Sequence, residues 1–282
     1  MKNKLDFIIV GAQKAGTTSL AACLRESDQV FIPSAKEVPY FLEERMQQRG
    51  WEWYRGTYFR NAGPDKSWGT SSPQYMMYPH SFGALKNMLP DVKIIVALRD
   101  PIGRLLSRFD MATRFGAERG RLNRVVEERR DKVAHCRQTT YLDRTGKYLV
   151  SGEYGRTLKE LFEHFDRRQV AIIDFEDIRK NAQLVVHRLS DFLGIERFSP
   201  RNLKAVRMKG GRSRRIDVDH DRIIAMFGRS VKSLGLAGLV PVSLKLAVGC
   251  LSSKLDEWNV DQSVKSGVAE LTPELLDRLQ EF

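Results

Sequence analysis

Residues Gly11-Ala12-Gln13-Lys14-Ala15-Gly16-Thr17-Thr18 constrain this 282-residue chain more than any other stretch. They follow an apolar run, Phe7 to Val10, and lead into a helical pattern, Ser19-Leu20-Ala21-Ala22-Cys23-Leu24. Strand, glycine-bearing loop and helix in that order gather backbone N–H groups and a helix N-terminus around one point, the setting in which a phosphate is held. The loop has the length of a Walker A motif but not its ending, which requires Gly-Lys-Ser/Thr. Here Gly16 is followed by Thr17, and Lys14 lies inside the loop. The spacing predicts a phosphate site that is not arranged for ordinary ATP chemistry.

Two further apolar runs, Lys93–Leu98 and Val170–Phe175, are short, rich in β-branched residues and followed by polar turn residues. With helical patterns between the runs, the chain is expected to be α/β, a P-loop-like three-layer fold with a central parallel sheet flanked by helices. Ligands of such a sheet bind at the carboxyl ends of its strands. Tyr154, Leu158, Leu161, Phe162 and Phe165 fall at helical spacing and predict an amphipathic helix within Glu153–Asp166, feeding the third strand. Trp51 to Asp65, aromatic and basic, reads as a surface excursion, and the charged stretch Arg114 to Arg144 as an exposed helix. Neither a repeat nor a low-complexity linker interrupts the pattern, so residues 1–282 are taken as a single domain. Its nucleotide-binding core runs from about 5 to about 215, with a helical C-terminal extension over about 216–282.

Charge narrows the partners. Lys and Arg number 47 against 35 Asp and Glu, a formal +12, which favours anionic ligands or simply a well-solvated basic surface. Cys23, Cys136 and Cys250 are odd in number and widely spaced, and the five histidines form no HExxH-type pair, so neither a disulfide framework nor a metal cofactor is expected. The N-terminus enters the first strand at once, where no signal peptide fits. Leu234 to Leu251 is apolar for about the length of a membrane span. However, Pro241 and Lys245 interrupt it and three glycines, at 235, 238 and 249, weaken it. It reads as an amphipathic or buried helical pair, with peripheral membrane contact as the alternative. Thr272-Pro273-Glu274 starts a helix that Phe282 cuts after a few turns, so the chain is naturally short or truncated.

A second anion site is suggested by Ile94-Ile95-Val96-Ala97-Leu98-Arg99-Asp100-Pro101. Arg99 emerges where the strand ends, Asp100 suits an N-cap and Pro101 the first helical position. Asp100, Gly103 or Arg104, and Ser107 then share a helix face. A guanidinium fork with a hydroxyl along the next helix holds phosphate well; an Arg99 ion-paired within the fold is the plainer alternative. Lys209-Gly210-Gly211-Arg212-Ser213-Arg214-Arg215 is a third candidate, a flexible basic loop whose glycines allow backbone approach to an anion, although taken by itself it reads better as a solvent-exposed basic turn.

Together these segments resemble the sulfotransferases that use 3′-phosphoadenosine 5′-phosphosulfate (PAPS). The likeness runs from about Phe7 to Phe198 and more weakly to Arg215, and rests on G-x-x-K-x-G-T-[ST] at 11–18 and L-R-D-P…R-x-x-S at 98–107. Gly152-Glu153-Tyr154…Leu158…Leu161 and the strand Ala171–Glu176 followed by Asp177 support it. The resemblance implies that Gln13, Lys14, Ala15, Gly16, Thr17 and Thr18 hold the 5′-phosphosulfate, and that Arg99 and Ser107 hold the 3′-phosphate. It also implies that Lys209, Gly210, Gly211 and Arg212 close over the nucleotide. Sulfuryl transfer builds negative charge on the leaving phosphate's bridging oxygen, and a lysine within the loop, Lys14, can stabilise that charge where it develops. No magnesium is then required, and the product is adenosine 3′,5′-bisphosphate (PAP).

Lys36-Glu37-Val38-Pro39-Tyr40-Phe41 resembles the segment carrying the catalytic glutamate in heparan-type glycan sulfotransferases, which makes Glu37 the expected base and Tyr40 a substrate-binding candidate; a surface glutamate beside Lys36 is the plainer alternative. His80 is a rival base, although its Pro79-His80 context departs from that of relatives using histidine. Thr70-Ser71-Ser72-Pro73-Gln74-Tyr75 stands where the glycan enzymes have a Glu-Lys-Thr-Pro-type segment. Ser71 thus replaces a lysine that touches substrate, and Ser71 and Tyr75 are the remaining substrate-binding candidates. The missing lysine disfavours an acidic, heparan-like acceptor while leaving hydroxyl sulfation intact. The expected enzyme is a cytoplasmic, bacterial, PAPS-dependent sulfotransferase acting on a carbohydrate or glycoconjugate hydroxyl. One alternative is a P-loop kinase or NTPase, with Val170-Ala171-Ile172-Ile173-Asp174 as its Walker B strand. The other is a non-catalytic anion or nucleic-acid binder, against which the dispersed basic residues and lack of an aromatic recognition motif speak.

Overall fold

The computed structural model describes residues 4–35, 37–114, 122–130, 149–201, 213–214 and 260–261. Contacts divide the chain into two compact units, one of Met1–Phe109, Gly120–Lys209 and Val268–Phe282, the other of Asp110–Arg119 and Gly210–Gly267. Among the described residues the larger unit holds the parallel sheet, and the smaller a two-residue antiparallel pairing of Ser213–Arg214 with Val260–Asp261.

The sheet contains β1 (Phe7–Gly11), β2 (Val30–Phe31), β3 (Ser67–Ser71), β4 (Lys93–Leu98) and β5 (Val170–Asp174), in spatial order β2-β3-β1-β4-β5. Every pairing is parallel. β1 is buried along its whole length, as the unbroken apolar run Phe7–Val10 requires of a strand covered on both faces. Alternation of side chains divides the central strands between two cores. Ile8, Val10, Ile94 and Val96 point into one, with Tyr54 of α3 (Trp51–Tyr58), Phe82 and Leu85 of α4 (Ser81–Met88) and Leu161 of α7 (Tyr154–His164). Phe7, Ile9 and Ile95 point into the other, with Leu20, Ala21 and Leu24 of α1 (Thr17–Leu24) and Val185, Leu189 and Leu193 of α8 (Phe175–Leu193). Each of the buried Val, Leu, Ile and Phe side chains among them contributes about 1.5–3 kcal/mol. The three-layer expectation is met.

The remaining α-helices among the described residues are α2 (Glu44–Gln47), α5 (Pro101–Arg114) and α6 (Leu122–Arg130). α7 lies inside the expected amphipathic stretch. Two other expectations need correcting. Trp51–Asp65 is not a surface excursion: α3 occupies most of it, and Tyr54 and Phe59 are buried in an aromatic cluster with Tyr40 and Trp68. Within Arg114–Arg144, α6 is helical as expected but buries Leu122, Val125 and Val126 on one face. β3, reading Ser-Trp-Gly-Thr-Ser, carries little strand signal; its Gly69 sits where the Phe7 ring of β1 leaves no room for a Cβ. Segments 209–212 and 234–251, residue 36 and the helix start at 272 lie outside the described residues.

Candidate functional site

β1 is the strand at which the chain order reverses, with β3 on one side and β4 on the other. The crevice of an open parallel sheet lies at the carboxyl ends of the strands beside such a point. The loop 11–18, the turn after β3, Arg99 after β4 and Phe175 after β5 all leave the sheet from that end.

The loop's shape is set by glycine. Gly11 has φ 151°, and a Cβ there would lie 2.7 Å from Met76 Cγ. Gly16, the N-cap of α1, has φ 85°, and a Cβ there would lie 3.0 Å from the Phe175 ring. Chain direction, close packing and left-handed backbone together demand glycine at both positions. α1 begins at Thr17 with no acidic residue in its first turn, so the positive end of the helix meets no opposing carboxylate of its own. Lys14 has φ 72°, an unfavourable backbone conformation for a side chain of its kind.

Arg99 connects the two anion motifs. Its Nη1 donates to the Lys14 carbonyl at 3.3 Å, and its guanidinium lies 4.7 Å from the centre of the Phe175 ring. Burial lowers its pKa, while Asp100 and Glu176 act in the opposite direction. Asp100 caps α5 as expected, its Oδ2 accepting from Gly103 N at 2.5 Å with Pro101 as the first helical residue. Ser107, two turns along α5, is half-buried. One turn before it Arg104 is only 1% exposed, and burial brings its pKa down to about 10, so it is charged at neutral pH. The charges of Arg108 and Arg99 act on it in the same direction, and the Tyr154 ring lies near enough to oppose them. The Gly152-Glu153-Tyr154 text has a structural reason as well. Gly152 lies beside Pro101 and Arg104: a Cβ there would stand 3.5 Å from Pro101 and 3.6 Å from Arg104 Nη2, an ordinary packing contact that places this segment over the start of α5. Tyr154 Oη is buried there, and burial raises its pKa.

Glu37 lies at the start of a segment tied to the turn after β3. It too has positive φ, 57°, and its Oε2 accepts from Gln74 Nε2 at 2.7 Å. Ser72 Oγ donates to the Val38 carbonyl at 2.9 Å, and Tyr75 Oη accepts from Phe41 N at 3.4 Å. Val38, Tyr40, Phe41, Tyr75 and Met76 share one buried cluster with Ala12 and Ala15 of the loop, which brings the two segments to the same end of the sheet.

Gln13 and Thr18 are half-buried on the loop and Thr17 is buried, while Ser71 is half-buried at the carboxyl end of β3. Tyr40 and Tyr75 are 1% and 0% exposed: their rings are core, and they brace the Glu37 segment from beneath instead of presenting a face to substrate. His80 is exposed at the cap of α4. Lys209, Gly210, Gly211 and Arg212 lie outside the described residues. Asp174, the Walker B candidate, caps α8 by accepting from Glu176 N at 2.8 Å, which is a structural role. Phe175, Arg104, Tyr154 and Gln74 were missed as site residues. Arg104 sits in the R-x-x-S text, but nothing in the sequence marked its burial.

The family profile of the sulfotransferase domain matches residues 4–213. The chain belongs to the sulfotransferase family. Among curated relatives it is 25% identical over 197 residues to heparan sulfate glucosamine 3-O-sulfotransferase 3B1 of Homo sapiens, covering 67% of this chain and 46% of that protein. It is 24% identical over 207 residues to bifunctional heparan sulfate N-deacetylase/N-sulfotransferase 1 of Caenorhabditis elegans, covering 70% of this chain and 23% of the relative. The chain thus spans less than half of the length of these relatives, 46% of one and 23% of the other. A sulfotransferase structure from Alicyclobacillus acidocaldarius superposes with TM-score 0.62 at 24% identity, covering 84% of this chain and 95% of that one, and shares the fold. Among the described residues of this family member no group of His, Cys, Asp or Glu is placed to hold a metal, and no helix is long and apolar enough to cross a membrane.

Proposed function

We propose that the chain transfers a sulfuryl group from PAPS to a hydroxyl of a carbohydrate or glycoconjugate. The observation that carries the reading is a backbone one. Among the described residues only two non-glycine positions adopt positive φ, and they are Lys14 and Glu37, the two assigned catalytic roles from sequence. Each such conformation costs about 1–3 kcal/mol and persists where the surroundings impose it, characteristically at active sites.

The residues suit the nucleotide. Glycines 11 and 16 let Met76 and Phe175 pack directly against the loop backbone, and Arg99 with buried Arg104 supplies fixed positive charge beside it. When bound, PAPS supplies an activated sulfuryl group on a phosphate leaving group. Gln13 to Thr18 would hold the 5′ end through backbone N–H groups, and Arg99 and Ser107 would hold the 3′-phosphate. Glu37 accepts the proton of the acceptor hydroxyl as its oxygen bonds to sulfur. Lys14 stabilises the charge on the bridging oxygen as the sulfur–oxygen bond breaks, so that PAP leaves and the proton stays on the carboxylate. Ser71, neutral at the rim of the sheet, favours an uncharged polyhydroxyl acceptor, and the activities that the curated relatives are named for support a sugar.

PAP is expected to raise the melting temperature by mass action, and no shift at millimolar PAP removes the nucleotide assignment. Incubation with [35S]PAPS and a panel of neutral and acidic glycans is expected to label neutral ones. Magnesium-dependent ATP turnover without PAP binding favours the kinase alternative instead.

A further inference from the structure

Gln74 combines two features. Its Nε2 donates to Glu37 Oε2 at 2.7 Å, and its Oε1 is buried without a hydrogen-bond partner among the described residues. A side chain kept only for packing has no use for an amide that leaves one end unsatisfied, because an apolar residue of the same size avoids that desolvation cost. Turning the amide over would set its oxygen against the carboxylate, so the observed orientation is the one that binds Glu37.

The surroundings make this bond the outermost of a series. Residues 72–75 grip residues 37–41 through Ser72 Oγ to the Val38 carbonyl and Phe41 N to Tyr75 Oη, and both of those fix backbone. Of these three bonds, the one from Gln74 is the one that reaches the carboxylate. The same turn continues into Met76, which packs where a Cβ on Gly11 would stand, so the piece that holds Glu37 also abuts the phosphate loop. Glu37 is carried on backbone without regular secondary structure, where a carboxylate keeps its aim only if a neighbour holds it.

We propose that Gln74 is the positioning residue of the general base, holding the Glu37 carboxylate in its proton-accepting orientation against the loop that binds the donor. The proposal rests on the reading of Glu37 as the base. A neutral amide suits this role because it aims the carboxylate through a hydrogen bond and adds no cation that would compete for its charge. Gln74 touches neither donor nor acceptor in this assignment; its effect passes wholly through Glu37.

The test is a double-mutant cycle on the full chain with Glu37→Gln, Gln74→Leu and the double variant. Release of [35S]sulfate from [35S]PAPS to water, and transfer to methyl β-D-glucopyranoside as a probe, are followed beside PAP affinity. Gln74→Leu is expected to lower kcat about tenfold. It should leave PAP affinity and the melting temperature near those of the parent. In the Glu37→Gln background the same change should lower the rate less than about twofold, because the group it positions is already gone. Equal losses in both backgrounds, or an unchanged rate in Gln74→Leu alone, overturn the proposal. Full activity in Glu37→Gln removes the reading beneath it, a different outcome seen in a different variant. A crystal structure of Gln74→Leu supplies a readout free of turnover: the Glu37 carboxylate should leave its place, and an unmoved carboxylate overturns the proposal.

Discussion

The proposed donor side and the proposed base side of the site are built by different means. Around the phosphate loop the shape comes from backbone: two glycines at positive φ, a helix start, and strand ends set by parallel pairing. Around Glu37 the chain has no regular structure, and its place depends on side-chain bonds from Ser72, Gln74 and Tyr75, more than thirty residues away. Backbone geometry is written in short local motifs. Side-chain anchoring is written in pairs of distant residues, none of which stands out alone.

That contrast orders what substitution should do. The largest effect is expected from Glu37→Gln, which should lower transfer about 10²–10⁴-fold, the range of general-base catalysis, while PAP binds normally. Label transfer from [35S]PAPS and calorimetry with PAP separate the two, and surviving transfer means another group is the base. Lys14→Ala comes next. A transition-state donor of this kind contributes about 10²–10³-fold, so the rate should fall far more than PAP affinity. Equal losses would reduce Lys14 to a phosphate anchor and make the loop purely a binding device.

Gly16→Ala probes the backbone side. The new Cβ meets Phe175 at 3.0 Å with the residue held at φ 85°, so chemical denaturation should show a loss of about 1–3 kcal/mol together with weaker PAP binding. Undiminished stability there would mean that the loop's shape does not depend on glycine. The smallest effect is expected from Phe175→Leu, which keeps bulk and removes the ring beneath Arg99. A cation–π contact of this kind is worth about 0.5–1 kcal/mol, which amounts to a two- to fivefold loss of PAP affinity. A loss of a hundredfold would show that Phe175 contacts the nucleotide itself.

Arg104 and Asp174 show where sequence reading stops. Both are charged residues near strand ends or helix starts, and the text around each fits a phosphate or metal role. Only packing separates them: Arg104 is enclosed beside Arg99 and Tyr154, whereas Asp174 is exposed and caps a helix. Burial depends on what other segments cover, and no local window contains that. For the same reason Trp51–Asp65, polar and aromatic on paper, proved to hold a core helix once β3 and Tyr40 were packed against it.

The sequence by itself determined the parallel α/β fold, the phosphate loop with its displaced Lys14, and Arg99 at the end of β4, because each follows from local periodicity and from backbone that only glycine tolerates. The tertiary structure alone decided that Arg99 reaches the Lys14 carbonyl, that Tyr40 and Tyr75 are supports, and that Gln74 grips Glu37. Those are contacts between segments tens of residues apart, and they exist only after the sheet has brought its carboxyl ends together.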